Sequence, residues 1–132
     1  MDVTFVGPST FATQTFIDTA GGAAEGAIVL ADYFSGSPDP LNTQFVEAYK
    51  AQYGVMPDNW AAMGYALANL GIEAIKNAGP NPTREAVRAG LEGLREVPTV
   101  IGNHVWTMDD ARNPHYGAAI LKVEDNAFTL AP

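Results

Sequence analysis

The sequence predicts an α/β fold with parallel strands and a terminal β-hairpin. Three observations carry this. Two short apolar runs, Val3–Gly7 and Ala27–Ala31, flank a helical stretch, and strand, helix, strand at that spacing is a βαβ unit with parallel pairing. Three longer helical segments follow, each opened by a capping residue. The chain then ends on two apolar runs, Gly117–Val123 and Ala127–Leu130, joined by Glu124-Asp125-Asn126, a hairpin pattern.

Each element has its own justification. Val3-Thr4-Phe5-Val6-Gly7 is β-branched and apolar, which predicts a buried strand stopped by Gly7-Pro8. A short helix is expected from Phe11 to Thr19, broken by Gly21-Gly22. Ala27–Ala31 reads as the second buried strand. Residues 32–40 form a polar loop, after which Asp39 caps a helix with Pro40 in its first turn, where a missing N–H costs nothing. Leu41, Phe45, Ala48 and Tyr49 share a face of that helix, and Gly54 closes it. Asp58 caps a longer helix with apolar positions Tyr65, Leu67, Leu70, Ala74 and Ile75, stopped by Gly79-Pro80. A third helix starts at Thr83, with Val87, Leu91 and Leu94 at helical spacing. A strand is expected near His104–Thr107, ahead of a charged loop and the hairpin.

Composition narrows the function. The chain has 132 residues, 47% of them apolar, enough for one globular core. No apolar run approaches the roughly 20 residues of a membrane helix. A formal net charge of -8 argues against nucleic acid and anionic membrane as partners, because phosphate would be repelled. There are no cysteines, so disulfides, thiolate catalysis and cysteine-based zinc sites are excluded. Met1-Asp2-Val3 shows neither a basic nor an apolar leader region, so no signal peptide is read in this chain.

Ligands of open α/β sheets bind beyond the carboxyl ends of strands. Ser9 and Thr10 stand just past the first strand, where their hydroxyls could donate to a ligand carboxylate or simply cap the next helix. Trp60, at the start of the long helix, could stack on a ligand or pack at the helix end. Tyr33, just past the second strand, carries the same two readings. Glu25 could hold an ammonium, but a solvated loop carboxylate or backbone cap is the simpler reading. His104 and His115 lack zinc-site spacing, and Asp109-Asp110 lacks the pattern of a calcium loop. Gly21-Gly22 has neither the spacing nor the lysine of a phosphate loop, and no serine sits in a nucleophile elbow. Nothing supports covalent, metal or cofactor chemistry, so the expectation is a binding protein without cofactor rather than an enzyme.

The order of several motifs carries a resemblance. Gly7-Pro8 leads to Ala20-Gly21-Gly22-Ala23-Ala24-Glu25-Gly26, a strand and Asp32-Tyr33. Phe45-Val46-Glu47-Ala48-Tyr49, Ala61-Ala62-Met63-Gly64-Tyr65-Ala66 and Ala74-Ile75-Lys76-Asn77-Ala78-Gly79 follow. Val100-Ile101-Gly102 precedes Trp106, and the chain closes through Ile120–Phe128. Together they resemble the C-terminal part of type I periplasmic binding proteins of the leucine/isoleucine/valine-binding group, the receptors that feed ABC transporters. The resemblance implies parallel-sheet α/β lobes closing on a ligand like a hinge. Residues 1–50 are then part of the second lobe, residues 51–116 the closing helices and strand of the first, and residues 117–132 the return to the second. The beginnings of both lobes are missing.

The resemblance also speaks to the ligand. The position of Ser9 is a glutamate in the branched-chain amino-acid receptors, where it binds the ligand's ammonium; a hydroxyl cannot neutralise that charge. Thr10 faces the cleft in the family, and Trp60 matches an aromatic position that packs on the ligand. These substitutions imply a small organic acid over an amino acid, and the indole of Trp60 implies a flat or aromatic one. Glu25 falls in a motif shared by members with different ligands, which implies a structural role. Periplasmic location and an ABC transporter permease as partner of the full-length protein follow by resemblance. Two alternatives stay open: a ligand-sensing domain of a regulator, and a truncated module that pairs with itself or with a complementing N-terminal chain.

Overall fold

In a computed structural model, residues 3–131 are described. Met1, Asp2 and Pro132, which enter the leader reading and the outer ends of the first and last lobe segments, lie outside the described residues. In chain order the elements are β1 (Val6–Gly7), α1 (Gln14–Ala20), β2 (Ile28–Ala31), α2 (Pro40–Tyr53), α3 (Asn59–Asn77) and α4 (Arg84–Glu92). There follow β3 (Val97–Pro98), β4 (Val105–Met108), β5 (Pro114–His115), β6 (Ala119–Glu124) and β7 (Ala127–Leu130).

The strands form two sheets. One has the order β1-β2-β6-β7, the other β3-β4-β5. β1 pairs in parallel with β2, Val6 opposite Ile28, as a βαβ unit requires. β6 runs antiparallel to β2, Ala31 opposite Ala119, and β7 antiparallel to β6. The architecture is thus mixed α/β with a terminal hairpin. Asp125 and Asn126 form its two-residue turn, both with positive φ, +51° and +59°; Asx residues tolerate that region and the turn matches strand twist.

The helix boundaries follow their caps. The Asp39 carboxylate accepts from Leu41 N at 2.8 Å, with Pro40 at the first helical position of α2. Gly54 ends that helix in the left-handed region, φ +73°. Asp58 accepts from Ala61 N at 2.8 Å, and Thr83 from Ala86 N at 3.2 Å.

Four expectations are corrected. Of the run Val3–Gly7 only Val6–Gly7 pairs, and of the run only Gly7 is buried: Val3 and Val6 are 69% and 71% exposed. β1 is an edge strand, and no layer among the described residues covers those side chains. The helix expected over Phe11–Thr19 is two pieces, a 3-10 turn at Ser9–Phe11 and α1 from Gln14. Thr13 separates them, because its hydroxyl caps α1 by accepting from Phe16 N. In α2, Phe45 and Asn42 are buried while Leu41 and Ala48 are exposed. In α3, Leu70 and Ala74 are buried as expected, but Tyr65, Leu67 and Ile75 are exposed. Ala62 and Ala66 take their place.

Two apolar regions hold the molecule together. The larger gathers Tyr33, Phe45, Ala62, Ala66, Leu70, Leu94, Val100, Ile101 and Trp106. Small residues on α3 let α4 approach closely, and a Cβ on Gly90 would strike the Ala74 carbonyl oxygen. The other region lies on the four-stranded sheet, where Val29, Ala31 and Leu121 pack with Ala12, and Ile17, Ala24 and Ala27 pack with Val123.

Candidate functional site

The turn after β1 is built by aromatic packing. Phe5, Phe11 and Phe16 cluster with ring centroids 5.0–5.9 Å apart. The Phe11 ring folds back onto Gly7, where a Cβ would collide with it. That return fixes the intervening Pro8-Ser9-Thr10, at the carboxyl end of a strand that has a parallel neighbour. Ser9 is half-buried and Thr10 exposed. Neither hydroxyl caps a helix: the cap position of the 3-10 turn is Pro8, and α1 is capped by Thr13. The capping alternative for these two residues therefore falls away, and both hydroxyls stand ready for other partners.

Trp60 stands in the first turn of α3, two residues past the Asp58 cap, and its side chain is 55% exposed. It is presented outward and not packed at the helix end. Tyr33 is different. It is only 4% exposed and meets Phe45 edge-on at 5.9 Å. Burial pushes its phenol well above the ordinary tyrosine range, so it stays protonated. The structure thus puts Ser9 and Thr10 together on one turn, Trp60 on an exposed helix start, and Tyr33 inside the core.

Glu25 is structural. Its carboxylate accepts from the backbone N–H of Asp125 at 3.1 Å, tying the loop before β2 to the hairpin turn. The neighbouring Gly26 N–H donates to the Val123 carbonyl at 2.9 Å.

The sequence did not reveal a junction where the two sheets' connecting segments meet. The Asp32 carbonyl, just past β2, accepts from Gly102 N at 2.7 Å. The Asp32 carboxylate accepts from the Tyr116 hydroxyl at 3.3 Å. Asn103 N in turn donates to the Tyr116 carbonyl at 2.8 Å. Burial, and then the Asp32 charge, raise the Tyr116 phenol above its usual range. Gly102 has φ +60°, and a Cβ there would overlap the Tyr116 carbonyl oxygen, so only glycine allows the approach. The available signal was Val100-Ile101-Gly102 itself, a glycine just after a buried apolar pair.

Both histidines have short-range partners. His104 Nε2 lies 2.9 Å from the Ser37 hydroxyl, and His115 Nε2 lies 3.0 Å from Asp109. The His115 contact, with Asn113 N donating at 2.7 Å, holds the Asp109 carboxyl well below the usual carboxylate range. Among the described residues no helix is long and apolar enough to cross a membrane.

No curated protein matches the chain. Solved structures do. A protein from Rhodospirillum rubrum described as a branched-chain amino acid ABC transporter is 30% identical, with a TM-score of 0.80 over 99% of this chain and 38% of its own. A leucine-binding protein from Thermotoga maritima shares the fold, with a TM-score of 0.87 at 20% identity over 100% of this chain and 37% of its own. A solute-binding protein of an ABC transporter from Rhodopseudomonas palustris, in complex with 3,4-dihydroxybenzoic acid, is 26% identical. Its TM-score is 0.77 over 95% of this chain and 34% of its own. The chain therefore spans less than two-fifths of the length of each of these proteins. The family model described as periplasmic binding protein matches residues 1–127, and the chain belongs to that family.

Proposed function

We propose that this chain is the C-terminal part of a non-catalytic periplasmic receptor that hands a small organic acid to an ABC transporter permease. Ser9, Thr10 and Trp60 are its contribution to the cleft, whereas Tyr33 is enclosed in the core. The observation that carries this is the pair of uncommitted hydroxyls at the carboxyl end of β1, where α/β sheets bind ligands. Ser9 offers a hydrogen bond without a negative charge, which suits a carboxylate and leaves an ammonium unneutralised. The exposed indole of Trp60, at the first turn of α3, suits a flat ligand. The 26%-identical relative holding a dihydroxybenzoate supports the aromatic class.

The packing of Phe45 and Tyr49 of α2 with α3 and β4 supports a first crossing between lobes at Asp32, ahead of the bound at residue 50 that the resemblance implies. The return crossing falls at Tyr116-Gly117, and the Asp32–Tyr116 contact joins the two crossings as part of the hinge.

Calorimetric titration of the full-length receptor tests the ligand class. Benzoate-class acids are expected to bind in the micromolar range, with leucine at least about tenfold weaker, a difference of about 1.4 kcal/mol. Tight leucine binding with every acid silent would overturn the reading.

A second reading is favoured by one observation. Trp60, Leu67 and Ile75 lie exposed along one face of α3, a surface suited to a second copy or to a complementing N-terminal chain. Sedimentation of the 132-residue chain is expected to show association that Leu67→Glu reduces. A monodisperse monomer for both forms would remove this reading.

A further inference from the structure

A cavity of about 140 Å³ lies where the N-terminus of α3, the β2–α2 loop, the segment before α1 and the β6–β7 hairpin meet. Phe34, Pro57, Leu121 and Phe128 give it apolar walls, and Tyr33 and Asn59 line it as well. Ser9, Thr10 and Trp60 are not among its lining residues. Both Tyr33 and Asn59 are enclosed, at 4% and 2% exposure. Among the described residues, neither the Tyr33 hydroxyl nor either amide atom of Asn59 has a hydrogen-bond partner.

That combination is chemically specific. A buried polar group left unpaired is costly, whereas an apolar side chain of the same shape would not be. Three such atoms on two residues beside one cavity therefore mark a place where a polar guest completes the hydrogen bonding. The size fits one aromatic ring, since an apolar cavity of about 150 Å³ accepts benzene. It is too small for the drug-sized ligands of ordinary clefts. Asp58, whose carboxylate already caps α3, also lines the cavity and disfavours an anion.

We propose that this cavity is a binding site for a neutral, single-ring hydroxylated aromatic of the phenol class, held through its hydroxyl by Tyr33 and Asn59. The guest hydroxyl donates to the Asn59 amide oxygen and accepts from the Asn59 amide nitrogen or the Tyr33 hydroxyl. The ring meets Phe34, Pro57 and Phe128. The site is separate from the carboxylate-binding turn at Ser9 and Thr10, so it does not depend on the receptor reading.

The test is titration of the 132-residue chain with phenol, toluene and benzoate, followed by NMR at the Asn59 side-chain amide. Phenol is expected to bind about tenfold more tightly than toluene, and more tightly than benzoate, while shifting the Asn59 amide resonances. Asn59→Leu and Tyr33→Phe are each expected to reduce the phenol preference without lowering Tm, because each removes an unpaired buried group. Equal affinity for phenol and toluene would overturn the proposal, as would benzoate matching phenol or an Asn59 amide unmoved at saturating phenol. The wild-type affinity ratio and amide shift decide the matter even if a variant fails to fold.

Discussion

The two faces of α3 are a contrast within a single helix. Its inward face carries Ala62, Ala66, Leu70 and Ala74, all at most 3% exposed, packed against α2, α4 and β4. Its outward face carries Trp60, Gly64, Leu67, Gly71 and Ile75, at helical spacing, with Leu67 60% exposed. The bulkier apolar side chains are therefore on the uncovered side. The contrast shows that size and hydrophobicity do not choose the buried face; the closeness of the neighbouring helix does, and small residues allow that closeness.

Two substitution pairs and one pH comparison sharpen this contrast. The largest effect is expected from Leu70→Ala, which removes a buried side chain of the inward face and costs about 3 kcal/mol. Leu67→Ala on the outward face should stay within about 0.5 kcal/mol. Urea unfolding reads both, and comparable losses would show that the outward face is covered in solution. Glycine substitutions come next. Gly90→Ala drives a methyl into the Ala74 carbonyl and should cost about 1–2 kcal/mol net of its gain in helix propensity. Gly71→Ala has open space around it and should stabilise by about 0.5–1 kcal/mol. A loss at Gly71 would place an unseen neighbour against it.

The smallest effect concerns how α4 is fastened over the inward face. Glu92, at its end, accepts from Arg88 at 2.8 Å and lies 3.0 Å from Arg112. The Arg88 hydrogen bond leads the causes that hold its carboxyl below the ordinary value. A depressed folded-state pKa gives stability that is full above the unfolded value of about 4.3 and is lost as pH falls through the folded one. Acid titration of stability should therefore be shallower below about pH 4.3 in Glu92→Gln than in the wild type. An identical pH profile in the two would show that the exposed contact adds nothing.

Local chemistry was legible in the sequence, and neighbourhood was not. Asp39, Asp58 and Thr83 cap the helices assigned to them, and Asp125-Asn126 makes the expected hairpin turn. These depend on one residue and the backbone beside it. The burial of Ala62 and Ala66 over Leu67 and Ile75 depends on Tyr33, Phe45 and Trp106, which lie well away along the chain. Two-residue strands such as β3 and β5 are too short to show a period. The site divides in the same way. Ser9, Thr10 and Trp60 are candidates read from their place at strand and helix ends, whereas Asp32 and Tyr116 matter through each other, distant in sequence, and Asn59 through its enclosure.

The antiparallel pairing of β2 with β6 also has a consequence for synthesis. Residues 28–31 leave the ribosome long before residues 119–124, so one edge of β2 stays open until that later strand has been made. During that interval Val29 and Ala31 lack the cover that Leu121 later provides, and an open apolar edge is a template for pairing with other chains. Translation that stops short of Ala119 would yield a product with its helices capped but its central strand unguarded, dependent on chaperones for solubility.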